Sequence, residues 1–115
     1  MADTAIDRAA YDELKETAGA EFVVELVDTF LAEAPRMLDD LRDALAAGDA
    51  ERFRRTAHSL KSNSNTFGAT RLGLLARELE LGGLGPVQAA AAEPLTALAD
   101  EYARVARALT ELKDA

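Results

Sequence analysis

Apolar residues recur at steps of three and four along most of the 115-residue chain, which is the spacing of one face of an α-helix. The pattern predicts a short helix over residues 7–17, a long helical segment over 20–47, and further helices over 50–67 and 71–81. A last apolar stripe runs from Leu95 to Leu112. Four long amphipathic segments joined by short loops favour an all-α fold, an antiparallel up-down four-helix bundle with a short extra N-terminal helix.

Residues that start and stop helices divide these segments. Gly19 and Gly48 are predicted helix stops, and Asp49 and Thr70 are predicted N-terminal caps. Pro35 lies inside the long segment. This segment is therefore either one kinked helix or two helices with Pro35 near the first turn of the second.

The connection to the last helix is less regular. Residues 82–86, Gly-Gly-Leu-Gly-Pro, predict the clearest loop of the chain. Residues 87–93 form either a separate turn or an extension of the last helix, and Pro94 starts or bends that helix.

Length and composition favour one helical domain. Ala, Leu, Arg and Glu dominate, 49% of the residues are hydrophobic and only 5% are aromatic, a balance typical of helices. A chain of this length can bury one core but not two, so we expect residues 1–115 to form a single domain. We expect a monomer, because such a bundle needs no partner to bury its core.

Composition and charge exclude several function classes. The absence of cysteine removes disulfides and thiolate chemistry, and a single histidine makes a zinc site implausible. The N-terminus lacks the features of a secretion signal, and no stretch approaches the roughly 18 apolar residues of a membrane span. The net charge of −8 disfavours nucleic acid and anionic lipid. We therefore expect a cytoplasmic protein with no metal or cofactor of its own.

The single histidine, His58, lies in a locally basic stretch. Residues 52–61 contain three arginines and Lys61 but no acidic residue. A lone histidine in a helical protein is ordinarily a surface or half-buried residue without special chemistry. On a helical wheel, however, His58 lies roughly 150° from the centre of the apolar stripe, so its ring is predicted to project into solvent. The stripe comprises Phe53, Ala57, Leu60, Ser64 and Phe67.

This environment suits an anion held on the histidine. Nearby cations would disfavour the imidazolium, so more of the ring would be neutral and nucleophilic near pH 7. A neutral imidazole nitrogen can attack phosphorus in line. Lys61 is placed to approach the phosphoryl oxygens, although an isolated lysine is usually only solvated. The other outward residues of the helix would supply donors and charge or leave access for a partner: Arg54, Arg55, Ser62 and Asn65.

Residues 57–69, Ala-His-Ser-Leu-Lys-Ser-Asn-Ser-Asn-Thr-Phe-Gly-Ala, resemble the signature of histidine-containing phosphotransfer (HPt) domains. That signature is His-x-Leu-Lys-Gly followed by five residues and Gly. His58, Leu60, Lys61 and Gly68 match it, whereas Ser62 stands where the pattern has glycine. Flanking segments extend the resemblance over roughly residues 20–82, and the last helix fits by position only.

The resemblance implies a phosphorelay intermediate of two-component signal transduction. Such a domain takes a phosphoryl group from an aspartate of a response-regulator receiver domain and passes it to another receiver. His58 would be phosphorylated on its outer ring nitrogen, Lys61 would stabilise the added charge, and Ser62 and Gly68 would allow the partner to approach. The receiver would contribute Mg²⁺ and most of the catalytic groups, and a hybrid histidine kinase is a further candidate partner.

Two other functions are weighed against the carrier. A helical adapter would bind a receiver or kinase without carrying phosphate. Exposed residues of the first helix and of the first half of the second, including Ile6, Tyr11 and Leu14, would form a docking patch for the adapter and for the carrier alike. An enzyme acting alone is disfavoured because the sequence shows no second base, metal cluster or ATP-binding loop. Acidic pairs such as Asp39-Asp40 and Asp100-Glu101 are interpreted as solvated helix faces.

Overall fold

The computed structural model describes residues 5–114, which form six helices and, within that range, no strand. None of these helices is both long and apolar enough to cross a membrane. The all-α class predicted from the apolar spacing is confirmed. The helices are α1 (Arg8–Ala18), α2 (Ala20–Ala47), α3 (Ala50–Thr66), α4 (Thr70–Gly82), α5 (Leu84–Ala89) and α6 (Glu93–Asp114).

The four long helices form the predicted bundle. α3 packs between α2 and α4, and α6 closes the bundle by packing against both α4 and α2. Short connections make successive long helices antiparallel. Burying one large apolar side chain stabilises the fold by about 1.5 to 3 kcal/mol, more than a typical surface ion pair contributes. The largest fully buried apolar side chains, which carry most of this stabilisation, include Phe53, Leu41, Leu60, Leu72, Leu98 and Leu109.

Helix α2 continues through Pro35 as one 28-residue helix, so the two-helix alternative is wrong. Pro35 itself is exposed, while Ala34 and Leu38 on either side are buried. A proline inside a helix leaves the carbonyl four residues earlier without its usual donor. That carbonyl belongs to Leu31, and it accepts a hydrogen bond from the Tyr102 hydroxyl of α6 at 3.4 Å.

Most of the predicted helix ends are confirmed. Gly19 and Gly48 end their helices with φ angles of +95° and +70°, a conformation that glycine adopts without strain. Asp49 caps α3, because its Oδ1 accepts from the Arg52 backbone N–H at 3.1 Å. Thr70 is not the cap that was predicted: it is the first residue of α4, which has no side-chain cap.

The predicted loop over residues 82–86 is partly wrong, because Leu84–Ala89 form the short helix α5. A turn at residues 90–92 then leads into α6, which begins at Glu93. Pro94 lies in the first turn of α6, where its missing N–H costs no helical hydrogen bond. The glycines therefore separate two helices instead of marking an irregular loop.

Helix α1 covers one end of the bundle and is pinned there by Gly68. The Asp7 backbone N–H donates to the Gly68 carbonyl at 2.8 Å, and Gly68 has a φ of +77°. Ile6 and Tyr11 are consequently only 5% and 2% exposed, and Leu14 is half-buried. The prediction that Ile6, Tyr11 and Leu14 belong to an exposed docking patch is therefore wrong, because these side chains pack against the core.

Two acidic residues interpreted as solvated are tied to other groups. Asp40 on α2 accepts from the guanidinium of Arg52 and, at 2.6 Å, from the hydroxyl of Thr56, both on α3. Glu101 on α6 is only 4% exposed, and its Oε1 accepts from Arg104 at 2.9 Å. The interpretation fails for Asp40 because its partners lie on another helix. It fails for Glu101 because packing of the helices buries its side chain.

Candidate functional site

Helix α3 presents His58 to solvent. The buried side of α3 consists of Phe53, Ala57, Leu60 and Ser64, and His58 is on the outer side with 54% of its side chain exposed. The predicted outward orientation is confirmed. This orientation follows from helical geometry alone, because the angular position of His58 around the axis of α3 differs from that of the buried stripe by well over a quarter of a turn.

The closest partner of His58 comes from α4 and was missed by sequence analysis. Glu80 Oε2 lies 2.7 Å from His58 Nδ1, and Glu80 Oε1 lies 3.0 Å from Lys61 Nζ. The Glu80 side chain is 13% exposed and that of Lys61 is 24% exposed. The His58–Lys61–Glu80 cluster thus joins two residues one turn apart on α3 to one carboxylate of the antiparallel neighbour.

The ionisation of Glu80 assigns the proton on the imidazole. Hydrogen bonds from Lys61 and His58 hold the pKa of Glu80 below its ordinary value, so the group is a carboxylate at neutral pH. A carboxylate can only accept hydrogen bonds, so His58 Nδ1 must carry the hydrogen between them. In the neutral ring the lone pair is then on Nε2, the nitrogen that does not contact Glu80.

The cluster therefore brings an imidazole with a free nucleophilic nitrogen and an ammonium group to the same carboxylate. Nε2 can bond to an electrophile such as phosphorus, and Lys61 can neutralise negative charge added there. Within residues 5–114 no group of three histidine or acidic side chains is arranged to hold a metal ion.

The arginines predicted around His58 pair mainly with a neighbouring acid on the same helix. Arg54 contacts Glu51 at 2.7 Å, and Arg55 lies 3.9 Å from the same carboxylate. The charged group in contact with the ring is thus the Glu80 carboxylate, and not one of the cations of the basic stretch. The pairs of Glu51 with Arg54 and Arg55 follow from helical spacing on α3, whereas the contact with Glu80 depends on the neighbouring helix.

The remaining predicted site residues lie along α3 beyond His58. Ser62 is exposed one turn after His58. Asn65 lies over Gly73 of α4, where a Cβ would collide with the Asn65 side-chain oxygen. A Cβ on Gly68 would approach Asp7 O to 2.8 Å, so this glycine is required for packing of α1. Access of a partner at Ser62, Asn65 and Gly68 stays a prediction.

An open surface groove of about 660 Å³ lies along the contact between α2 and α3 and extends to Ser59, the residue after His58. Groups of both charges line it, and within it Asp40 is already paired with Arg52 and Thr56. Its lining comprises Glu33, Arg36, Met37, Asp40, Arg52, Arg55, Thr56 and Ser59.

Comparisons with known proteins identify the family of the chain. The profile of the family described as Hpt domain matches residues 25–114. The fold is similar to histidine-containing phosphotransfer protein B (HptB) from Pseudomonas aeruginosa PAO1, with 32% identity, a TM-score of 0.87, and coverage of 98% of this chain and 97% of that one. It is also similar to the HPT domain of a sensor hybrid histidine kinase from Shewanella, with 18% identity, a TM-score of 0.73 and coverage of 96% and 95%.

A search of curated protein sequences finds no match. The profile match nevertheless spans most of the chain, and the HptB similarity spans nearly all of both proteins. The chain therefore belongs to the family of histidine-containing phosphotransfer (Hpt) domains and is a phosphotransfer protein of two-component signalling.

Proposed function

We propose that this protein is a phosphorelay intermediate that carries a phosphoryl group on Nε2 of His58 and exchanges it with aspartates of response-regulator receiver domains. One observation carries the proposal: Glu80 holds Nδ1 at 2.7 Å, while the ring is half exposed and its other nitrogen is directed away from that contact. This arrangement combines a defined tautomer with access for another protein's active site.

The transfer step follows from this tautomer. The Nε2 lone pair attacks the phosphorus of an aspartyl phosphate, the N–P bond forms as the P–O bond to the aspartate breaks, and the aspartate leaves as a carboxylate. Positive charge develops on the ring as the new bond forms. The hydrogen bond from Nδ1 to the Glu80 carboxylate stabilises that charge. Attack by the aspartate of a second receiver on the same phosphorus reverses these changes and frees the ring.

Lys61 is proposed to stabilise the phosphoryl oxygens. It is one turn from His58, and its ammonium group is held 3.0 Å from Glu80. Because its flexible stem lets the charge move, Lys61 can swing from the carboxylate towards a phosphoryl group on the neighbouring ring. The competing interpretation is a purely structural ion pair between α3 and α4, which a substitution can distinguish.

The partner receiver is proposed to supply the metal ion and the remaining catalytic groups. Hpt domains interact with receiver domains and histidine kinases in two-component systems. The receiver would bring Mg²⁺ and the groups that activate its aspartate, so this chain needs no cofactor and is not an enzyme by itself. A monomeric, single-domain protein acting in the cytoplasm, with receivers and a hybrid histidine kinase as partners, belongs to the same proposal.

Phosphotransfer from a labelled receiver tests the carrier function. A receiver carrying ³²P on its aspartate is incubated with the wild-type protein and with His58→Gln. The wild type should acquire a label that acid releases and alkali does not, whereas His58→Gln should acquire none while keeping the helical circular dichroism spectrum. Label on His58→Gln would identify another carrier residue. A wild type that binds its receiver but never becomes labelled would support the adapter instead.

A further inference from the structure

A second groove lies on the side of α4 away from α3. It has a volume of about 360 Å³, within the size range of ligand-binding sites, and is bounded by α4, α5 and α6. Its surface is apolar except at two carboxylates. We call it the α4–α6 groove; its lining comprises Leu75, Glu78, Leu79, Gly82, Gly83, Pro86, Val87, Ala90, Glu93, Pro94 and Ala97.

The shape of the α4–α6 groove fits a helix. The α4 wall consists of Leu75, Glu78, Leu79 and Gly82, a stripe at steps of three, one and three. Seven residues of helix extend over about 10 Å, or two turns. A partner helix of that length would place side chains at i, i+3 or i+4, and i+7 along the groove. Small residues on the opposite walls, such as Ala90 and Ala97, leave room for those side chains.

Charge indicates which helix would fit. Glu78 is on the α4 wall and Glu93 is on the α6 wall, and neither forms an ion pair with another residue in the range 5–114. Acidic groups on both sides of an apolar floor are complementary to an apolar stripe flanked by cations. A second copy of this chain would instead bring the same two carboxylates and a net charge of −8, which disfavours self-association.

We propose that the α4–α6 groove binds an amphipathic helix of a partner protein, with apolar residues in the groove and Lys or Arg beside Glu78 and Glu93. Glu80 contacts α3, whereas Leu79, the residue before it, lines the groove. The two surfaces therefore lie on different sides of α4. A helix in the groove and a receiver at His58 can bind at the same time, and this inference does not rest on the proposed phosphotransfer.

Two synthetic peptides test the charge and shape of the occupant. Both are 14-residue helices with leucines at i, i+4 and i+7; one has lysines flanking the stripe and the other has glutamates. Each is titrated into the full chain and followed by the NMR signals of Leu75, Val87 and Ala97. The lysine peptide should shift these signals, and the glutamate peptide should bind about tenfold more weakly because two exposed attractions become repulsions.

Substitutions in the α4–α6 groove test whether the lysine peptide binds there or on another surface. Ala97→Leu fills the groove and should weaken binding of the lysine peptide by about tenfold or more. Ala103→Leu is the matched control, an exposed alanine of the same helix outside the groove, and should leave binding unchanged. Replacing both Glu78 and Glu93 by Gln should reduce the preference for lysine over glutamate. Phosphotransfer to His58 should continue in all of these variants.

Four outcomes would overturn the inference. Lysine-peptide binding that survives Ala97→Leu would move the site elsewhere, and equal binding of both peptides would remove the role of the carboxylates. A dimer in analytical ultracentrifugation that Ala97→Leu dissociates would assign the groove to a second copy. Saturable binding of phenethylammonium in the groove without binding of either peptide would assign it to a small apolar cation.

Discussion

Two carboxylates join α3 to its neighbours in nearly the same way. On one side Glu80 of α4 contacts Lys61 and His58, and on the other side Asp40 of α2 contacts Arg52 and Thr56. In both cases the two donors lie one turn apart on α3. The pKa of Glu80 is lowered first by Lys61 and then by His58, and that of Asp40 is lowered first by Arg52 and then by Thr56.

The difference between the two clusters is the identity of the second donor. Arg52 stays protonated at any physiological pH, and the Thr56 hydroxyl is a weak nucleophile, so the Asp40 cluster only connects α2 to α3. His58 has a nitrogen on each side of its ring, so a carboxylate that occupies one nitrogen prepares the other for chemistry. The same packing device only links two helices with one partner, and with the other it positions the proposed nucleophile.

Removing each carboxylate in turn is the strongest test of this comparison. Glu80→Ala should slow phosphotransfer by about 10- to 100-fold, the scale on which groups that orient imidazoles act, because the ring loses its tautomer and orientation. Asp40→Ala should leave the rate within about twofold, since it is outside the reacting groups. ¹⁵N NMR of His58 should show a single Nδ1–H tautomer in the wild type and a mixture in Glu80→Ala. Equal losses of rate in Glu80→Ala and Asp40→Ala would show that both clusters act only by supporting the fold.

Lys61 and Arg52, the basic residues that contact Glu80 and Asp40, can be compared in the same phosphotransfer assay. Lys61→Ala should slow phosphotransfer by about tenfold, the equivalent of one charge-assisted contact in the transition state. Lys61→Arg should recover part of the rate, and Arg52→Ala should have no effect on it. An unchanged rate in Lys61→Ala would show that this lysine only links α3 to α4.

Substitution of Asp40, which should not change the rate of phosphotransfer, should instead lower the stability of the fold. Asp40→Ala should lower the free energy of unfolding by about 1 to 2 kcal/mol, because it leaves two donors on α3 without their acceptor. Asp39→Ala is the matched control: its carboxylate is 77% exposed and 3.8 Å from Arg42, so its removal should cost less than about 0.5 kcal/mol. Urea denaturation measures both values, and equal losses would contradict a specific link to α3.

The pH dependence of the free energy of unfolding should also report on the Asp40 cluster. The pKa of Asp40 is lower in the folded protein than its ordinary value of 3.8, so the folded state holds fewer protons and the group stabilises it above that pH. This stabilisation should fade as the pH falls through the lowered pKa. Asp40→Asn should therefore flatten the acid side of the stability profile. A profile that keeps its wild-type slope would assign the acid sensitivity to other carboxylates.

The smallest effect is expected at Ser62, one turn from His58. Ser62→Gly restores the residue of the family signature and should lower the free energy of unfolding by about 0.5 kcal/mol, because glycine favours the helix less than serine does. Phosphotransfer should stay within about twofold of the wild type, because no contact of the His58–Lys61–Glu80 cluster involves the Ser62 side chain. A clear acceleration would indicate that the serine restricts docking of the receiver.

Several residues whose environment depends on one helix were predicted correctly. The outward position of His58 follows from its angle on α3, and the stops at Gly19 and Gly48 and the cap at Asp49 follow from local backbone chemistry. The apolar residues of the first helix show where such reasoning ends. Ile6 and Tyr11 were recognised as apolar, but whether they face a partner or the core depends on the hydrogen bond of Asp7 to Gly68, 61 positions later.

The sequence by itself determined the long helices, their buried faces and the exposure of the single histidine, because a period of 3.6 residues converts spacing into direction around one axis. Only the tertiary structure decided which side chain contacts that histidine. Glu80 is 22 residues from His58 along the chain, and its carboxylate reaches the ring because α3 and α4 pack antiparallel at one register. Helix register depends on how two surfaces interlock, and no periodicity within either helix specifies it.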